Sequence, residues 1–527
     1  MKKAISILLA LCLTCAFGAT VSAATQSTPV TAEVTFTYTV EIPASITLTF
    51  NNTSAVQYSI TATDVSLPSN TQVVVTAEGS GAGKAFSITN STNNVPFALS
   101  LSNPGADLNP GDEIATFKSS SSSPFWIRVP DWSAAQTAGT YTGSITFTMD
   151  TEIIPVKPTL AVGAYHTVAL KSDGTVWAWG ANGNGQLGDN TLIDKHTPVQ
   201  VLTNVTDIAA GRTHTIALRL DGTVWTWGGN GRGQLGNGTT VENHIPTQVD
   251  GISDVIAVTA GDDFTAVLKS DGTVWTWGRN MNGTLGIGSL TDSSYIPVQV
   301  KDLTDIQQVK AFTDVVAISS GGHNSNHTLA LKSDGTVWAW GFGSSGQLGD
   351  GGATNRLSPV QVTGLTDVTA IAAGAVHSMA LKHDGTVWAW GLNGEGQLAQ
   401  AIGDTTNRHT PETMSINGTT MTGVIAIEAG GANSVAIRAG GVVFTCGAND
   451  SGQLGNGTNT PFSYPARVVG VGGIDYLSDV TVVAASVGFM VALQSDGTIV
   501  AWGLNTNGQL GDGTTTQRLT PVQVIFP

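Results

Sequence analysis

The chain has 527 residues, of which 11% are charged, 64 are glycine and 13 are tryptophan, and its formal net charge is −16. A hydrophobic content of 41% argues against a disordered chain. The acidic balance argues against nucleic acid and anionic lipid as partners, because both demand a basic surface.

Residues 1–24 read as a secretory signal peptide. Lys2 and Lys3 form the basic start, Ile5 to Phe17 the apolar stretch, and Val21-Ser22-Ala23 the small-residue cleavage signal. The apolar stretch is too short to span a bilayer, so no membrane insertion is expected once the leader is removed. The style is bacterial, and the expectation is a secreted or surface-associated protein. Loss of the leader removes Cys12 and Cys15, leaving Cys446 as one thiol with no disulfide and no cysteine pair for zinc.

Residues 25–155 alternate polar and apolar with period two, as in Val34-Thr35-Phe36-Thr37-Tyr38, with Pro, Gly and Asn breaks. About eight short strands predict a β-sandwich. The segment Ala138 to Thr148 resembles the last strands of immunoglobulin-like domains on bacterial surface proteins. Pro155 and Pro158 bracket a linker at 156–158.

From Thr159 to residue 527 the chain repeats itself. Trp179, Trp227, Trp277, Trp340, Trp390, Cys446 and Trp502 each precede a Gly and lie 48 to 63 residues apart. Within one copy, His166 to Leu170 reads as a strand, Asp173-Gly174 as a hairpin turn, Thr175 to Trp179 as the return strand and Thr197 to Val201 as a third. Ile208 to Ala210 begins the next copy and reads as a fourth. Such a sheet has two apolar faces, and radial stacking of seven buries them all. The fold class expected is all-β: a seven-bladed β-propeller preceded by a β-sandwich.

Eleven tryptophans fall in the return strands: Trp177, Trp179, Trp225, Trp227, Trp275, Trp277, Trp338, Trp340, Trp388, Trp390 and Trp502. They are expected to be structural, packing blade against blade. The motifs Gly-x-x-His-Thr-x-Ala-Leu, Asp-Gly-Thr-Val-Trp-x-Trp-Gly and Gly-Gln-Leu-Gly resemble the repeats of the regulator-of-chromosome-condensation family. The resemblance implies a seven-bladed propeller. It also brings a role in guanine-nucleotide exchange, which an acidic exported chain does not readily fit. The family's exchange wedge is an extra hairpin, whereas Lys301 to Val316 reads as a doubled linker. Secreted bacterial propellers of this repeat, including inhibitors that clamp β-lactamases, match the compartment better.

The seven copies also sort scaffold from site. His166, His214, His327 and His377 are replaced by Phe264, Asn433 and Phe489 in other copies, which argues for packing rather than catalysis. Copy six loses both tryptophans (Phe444, Cys446) and is expected to pack less well. Loops at one end vary, which makes Tyr165, Arg212, Asp262, Asp263, His323 and Asn324 the candidate binding residues. No catalytic residue, metal site or cofactor is expected. Asp262 and Asp263, being adjacent, are expected to point apart. The Asn-Asp segments near Asn182, Asn449 and Asp512 read as ordinary turns. The leading expectation is a monomeric, non-enzymatic module binding a protein partner of unknown identity. Alternatives are nucleotide exchange, and a hydrolase or lyase at the channel mouth.

Overall fold

The strand–turn–strand unit recurs seven times, and the hairpin chemistry explains why. Asp173 Oδ1 accepts hydrogen bonds from the Thr175 backbone N–H (3.0 Å) and hydroxyl (2.6 Å), and the Trp177 Nε1–H donates to Thr175 Oγ1 (3.0 Å). Gly174 between them takes a φ of 76°, in the left-handed region that favours glycine. In the sixth copy two glycines, Gly440 and Gly441, both with positive φ, make the turn without the aspartate.

The computed structural model describes residues 156–527 except 291–292, 304–309 and 322–325; before residue 156 it describes the backbone of separate strands. Two units divide at Pro155 and Val156. In the first, Ile145–Ile153 pairs antiparallel with Thr71–Gly79, and Val56–Ser66 with Ser121–Arg128. The expected cleavage signal at 21–23 and the packing expected of a sandwich over 25–155 lie outside the described residues.

The second unit is a seven-bladed propeller of four-stranded antiparallel sheets. Blade 1 runs outward through Thr159–Val162, His166–Leu170, Val176–Gly180 and Lys195–Leu202. The later blades begin with Val205–Ala210, Val255–Ala260, Val315–Ser320, Val368–Ala373, Val424–Ala429 and Val480–Ala485. Ile208 to Ala210 does begin the second copy, as expected, but it is not the fourth strand of the first sheet, which Thr159–Val162 supplies. It belongs to the innermost strand of blade 2, paired with His214–Arg219.

Every blade is one contiguous stretch, so the two ends of the repeat array do not share a sheet. The ring closes by side-chain bonds between blades 7 and 1. Thr167 Oγ1 and Trp179 Nε1 donate to the Gln509 carbonyl (2.9 and 3.0 Å), and Ser486 Oγ donates to the Gly163 carbonyl (2.7 Å). Phe526 then packs edge-on against Trp177 and Trp179, with centroids 5.5 and 6.1 Å away.

The same chemistry joins the other blades. At the first interface His166 Nε2 lies 3.1 Å from Thr215 Oγ1, and Thr215 Oγ1 donates to the Gln186 carbonyl (2.7 Å). A hydroxyl has one proton, so His166 must be the donor to it. Trp227 Nε1 donates to that same carbonyl at 2.9 Å. His214, His327 and His377 repeat the relay onto Thr265, Ser378 and Ser434. The second tryptophan of each pair, and Trp502, is fully buried. The first is half-buried and covered by a cation: Lys171 lies 4.4 Å from the Trp177 ring centre and Arg219 lies 3.8 Å from that of Trp225. The two tryptophans of a copy thus do different jobs, one gluing blades and one roofing the hairpin end.

Copy six packs with a different set of side chains. In the other interfaces the last Gly of Gly-Gln-Leu-Gly, or its counterpart Gly286, lies against the next blade's tryptophan. A Cβ on Gly236 would meet Trp277 Nε1 at 2.6 Å. In blade 5 that glycine is Ala399 (φ 49°), and the tryptophan opposite is Cys446. Met414, Met421 and Phe444 fill the remaining space. Cys446→Trp alone is expected to cost about 1–3 kcal/mol by overpacking. Combined with Ala399→Gly it should recover at least about 1 kcal/mol of coupling energy, as measured in a double-mutant cycle of urea unfolding.

Lys301 to Val316 is more than a linker. Lys301–Asp302 pairs with Lys310–Ala311 as a two-stranded ribbon between blades 3 and 4. Beyond it Phe312 is buried against Trp338 and Trp340.

Candidate functional site

The loops after the innermost strands and the Gly-Gln-Leu-Gly loops meet on one face. Ala181 N donates to the Tyr165 carbonyl (2.8 Å) and Gly229 N to that of Thr213 (2.7 Å). Around the rim, Ala164 N donates to the Arg212 carbonyl (3.2 Å) and Arg212 N to the Asp262 carbonyl (3.0 Å). These backbone bonds fix the positions from which the variable side chains project.

Tyr165 and Arg212 stand exposed on this face. His323 and Asn324 lie outside the described residues. Asp262 is buried rather than displayed, and Asp263 is half-buried. The expectation that the two aspartates point apart is corrected: both turn to one guanidinium, with Arg279 Nη1 3.8 Å from Asp262 Oδ2 and 3.6 Å from Asp263 Oδ2. Burial and the neighbouring Asp262 raise the Asp263 carboxyl above its ordinary range, while Arg279, Arg212 and Arg232 pull it back.

Arg212, Arg232, Asp263 and Glu242 line one cleft of about 860 Å³ over blade 2, together with Asn184 and Thr213. Arg232 and Arg279 were missed in the sequence. The signal was there for Arg232, since its counterparts are Asn184, Asn282, Ser345, Glu395, Ser451 and Asn507.

A second polar feature sits in the channel. A cavity of about 280 Å³ is lined by the innermost strands of all seven blades, among them Ala161, Ala209, Thr259, Ser319, Ala429 and Ala484. Glu428 is the charged residue in that lining. Burial by the surrounding strands pushes its carboxyl up to about 8. Asp207, near the same end of the channel, is pushed up to about 6, although it accepts the Ile208 (2.9 Å) and Val258 (3.2 Å) backbone N–H groups. Glu428 occupies a place that is Ala209, Thr259, Ser319, Ala372 or Ala484 in other blades, a contrast readable in the repeat alignment. Because its folded-state pKa lies above the unfolded one, stability falls as pH rises between about 4.5 and 8. Glu428→Ala is expected to raise stability at pH 8 by about 1–3 kcal/mol, a value discounted because the channel admits water, and to flatten that slope in chemical unfolding.

The remaining candidates serve the scaffold. Burial depresses the His166 and His327 imidazoles to about 3 and those of His214 and His377 to about 4, so all four are neutral Nε2–H donors. Cys446 is buried, and its thiol is pushed up to about 12, far from a reactive thiolate. The Asn-Asp segments stitch their own loops. Asn182 Oδ1 accepts the Leu187 N–H (3.0 Å), and its amide donates to Asp189 Oδ1 (2.9 Å). Asn449 and Asn505 do the same for Leu454 and Leu510.

A family model described as "RCC1-like domain" matches residues 204–526, and models of the regulator of chromosome condensation (RCC1) repeat match 159–186 and 173–218. The chain belongs to the RCC1-like domain family. Curated relatives of this RCC1-like propeller include the human E3 ubiquitin-protein ligase HERC2, 31% identical over 204 residues that make 38% of this chain and 4% of that protein. The ultraviolet-B receptor UVR8 of Arabidopsis thaliana is 30% identical over 206 residues, 38% of this chain and 44% of the receptor. The matched stretch is thus less than half the length of either relative. Among solved structures, human WBSCR16 aligns with a TM-score of 0.56 at 23% identity, over 67% of this chain and 95% of that one. Yeast RCC1 (Prp20), in a structure bound to Kap60, aligns with a TM-score of 0.55 at 22% identity, over 70% of this chain and 85% of the matched chain. At these identities the likeness shows the fold.

Proposed function

We propose that the RCC1-like propeller is a non-enzymatic interaction module that engages a protein partner through the face carrying Tyr165, Arg212 and Arg232. The chain around it is exported by the leader at 1–24 and acts as a monomer outside the cell or at its surface. One observation supports this reading: on the variable-loop face, Arg212 and Asp263 meet Arg232 and Glu242 in a polar cleft of about 860 Å³, beside loops whose backbone is pinned by hydrogen bonds. Pinned loops lose little entropy on docking, which favours recognition of a partner. Partner binding is also the theme of the yeast RCC1 structure solved with Kap60.

The test is capture from the organism's secretome and envelope with the mature chain, followed by measured affinity for the captured protein. Tyr165→Ala and Arg212→Ala should weaken binding, while Thr203→Ala, between blades 1 and 2, should not. Equal loss from all three, or from none, contradicts the reading. A secreted chain beginning near residue 25 is the expected result of N-terminal sequencing.

A second reading, hydrolase or lyase chemistry at the channel, is favoured by the raised Glu428 and Asp207 carboxyls. It weighs less because two backbone N–H groups already bind Asp207. Turnover abolished by Glu428→Gln would establish it. Guanine-nucleotide exchange would require accelerated nucleotide release from a GTPase.

A further inference from the structure

We infer that the cleft over blade 2 is a carboxylate-recognition site for an acidic peptide segment, with Arg212 and Arg232 as its two anchors. This inference rests on the reading that the variable face binds a protein, and it names the chemistry of what binds.

Three guanidiniums bear on the single carboxyl of Asp263: those of Arg279, Arg212 and Arg232. Arg279 is half-buried and committed to Asp262 and Asp263. It holds Asp263, which lines the cleft, from outside the lining and offsets part of the charge of the two carboxylates. Arg212 and Arg232 are exposed, and no described residue offers either guanidinium a hydrogen bond or an ion pair. Their backbones are nevertheless held. Arg212 N donates to the Asp262 carbonyl (3.0 Å) and Arg232 N to Gln234 Oε1 (2.9 Å). Two uncommitted cations thus stand on fixed loops of one blade, in a protein whose net charge is −16.

The other copies sharpen the point. Where blade 2 has Arg212, the counterparts include Ala164, Asp262, Ala375, Gly431 and Val487; where it has Arg232, they are Asn, Ser or Glu. The scaffold therefore asks for arginine at neither place, yet both fall in the same cleft.

A guanidinium fork matches carboxylate and phosphate oxygens alike. The walls decide between them. Asp263 and Glu242 line the same cleft and, with the overall negative charge, penalise every polyanion. They penalise a continuous phosphate backbone, whose charge sits on the main chain itself, more than side-chain carboxylates that can reach past them to the two arginines. A peptide with spaced Glu or Asp side chains can place carboxylates on Arg212 and Arg232 and lay its neutral backbone along Thr213, Thr240 and Gly231.

The experiment is fluorescence anisotropy of a labelled hexaglutamate peptide with the full mature chain at low salt. Parallel arms use hexalysine, inorganic phosphate and a single-stranded oligonucleotide. Saturable hexaglutamate binding is expected, weakened about tenfold or more in the Arg212→Ala/Arg232→Ala double variant. The Arg212→Lys/Arg232→Lys variant should fall in between, because it keeps the charge and loses the fork. Both side chains are exposed, so the variants should keep the parent melting temperature. No hexaglutamate binding, binding unchanged in the double alanine variant, or tighter binding of hexalysine, phosphate or oligonucleotide would overturn the inference. If hexaglutamate fails while a captured protein still depends on Tyr165, the inference falls and the proposed function stands. If neither the peptide nor any protein depends on this face, both fall.

Discussion

The propeller is expected to lose stability steeply as pH drops from about 6 to about 4.5. Four buried imidazoles have folded-state values of about 3 to 4, below the unfolded 6.5. Below pH 6.5 the unfolded chain therefore binds protons at these sites that the folded chain refuses, so stability falls with pH. Glu428 and Asp207 act oppositely, because their folded values of about 8 and about 6 lie above the unfolded ones. Four histidines against two carboxyls leave a difference of about two protons, a slope of about 2.7 kcal/mol per pH unit. The physical event is specific. A second proton on His166 goes to the buried Nδ1, which has no partner and lies beside Gly163. Urea midpoints across this pH range measure the slope. A His214→Phe/His377→Phe variant, copying the residue at Phe264 and Phe489, should cancel most of it. A flat profile in the parent would contradict the neutral relay.

Trp227→Ala is expected to cost about 3–5 kcal/mol, the range for a buried large-to-small change. The ring is fully buried between blades 1 and 2, and its Nε1–H is one of two donors to the Gln186 carbonyl. Thr215 Oγ1 still serves that carbonyl after the substitution, which keeps the cost from exceeding the packing term by much. Trp225→Ala should cost about half as much or less, because that ring is half-buried. Thermal and urea unfolding of the two variants compare them directly. Equal losses would contradict the division of labour between the two tryptophans.

The fold was legible because seven imperfect copies repeat one period. The Asp-Gly turn, the return strand and the trailing proline sit at nearly constant spacing, so the number of sheets followed from counting. The histidines were readable as scaffold because phenylalanine replaces them in two copies. What escaped the sequence depended on contacts between copies. Ala399 and Cys446 look like two unrelated defects until the fold places them face to face. Asp262 and Asp263 look divergent along a strand, yet the turn beside Phe264 brings both to Arg279. The Lys301–Ala311 ribbon was hidden because its two-residue strands are too short to show a period. Ring closure could not be read because the seam is made by side-chain packing, side-chain bonds and a loop backbone bond from Gly513 N to the His196 carbonyl rather than by a shared sheet.

Amide hydrogen exchange of the folded mature chain tests closure of the ring most directly. A closed toroid predicts that the amides of His166–Leu170 in blade 1 and Ile499–Gly503 in blade 7 exchange as slowly as those of His327–Lys332 in the middle blade, and that Phe526→Ala speeds the first two sets selectively. Fast, fraying exchange in both end blades of the unmodified chain, graded inward from each terminus, would mean an open array and contradict the account.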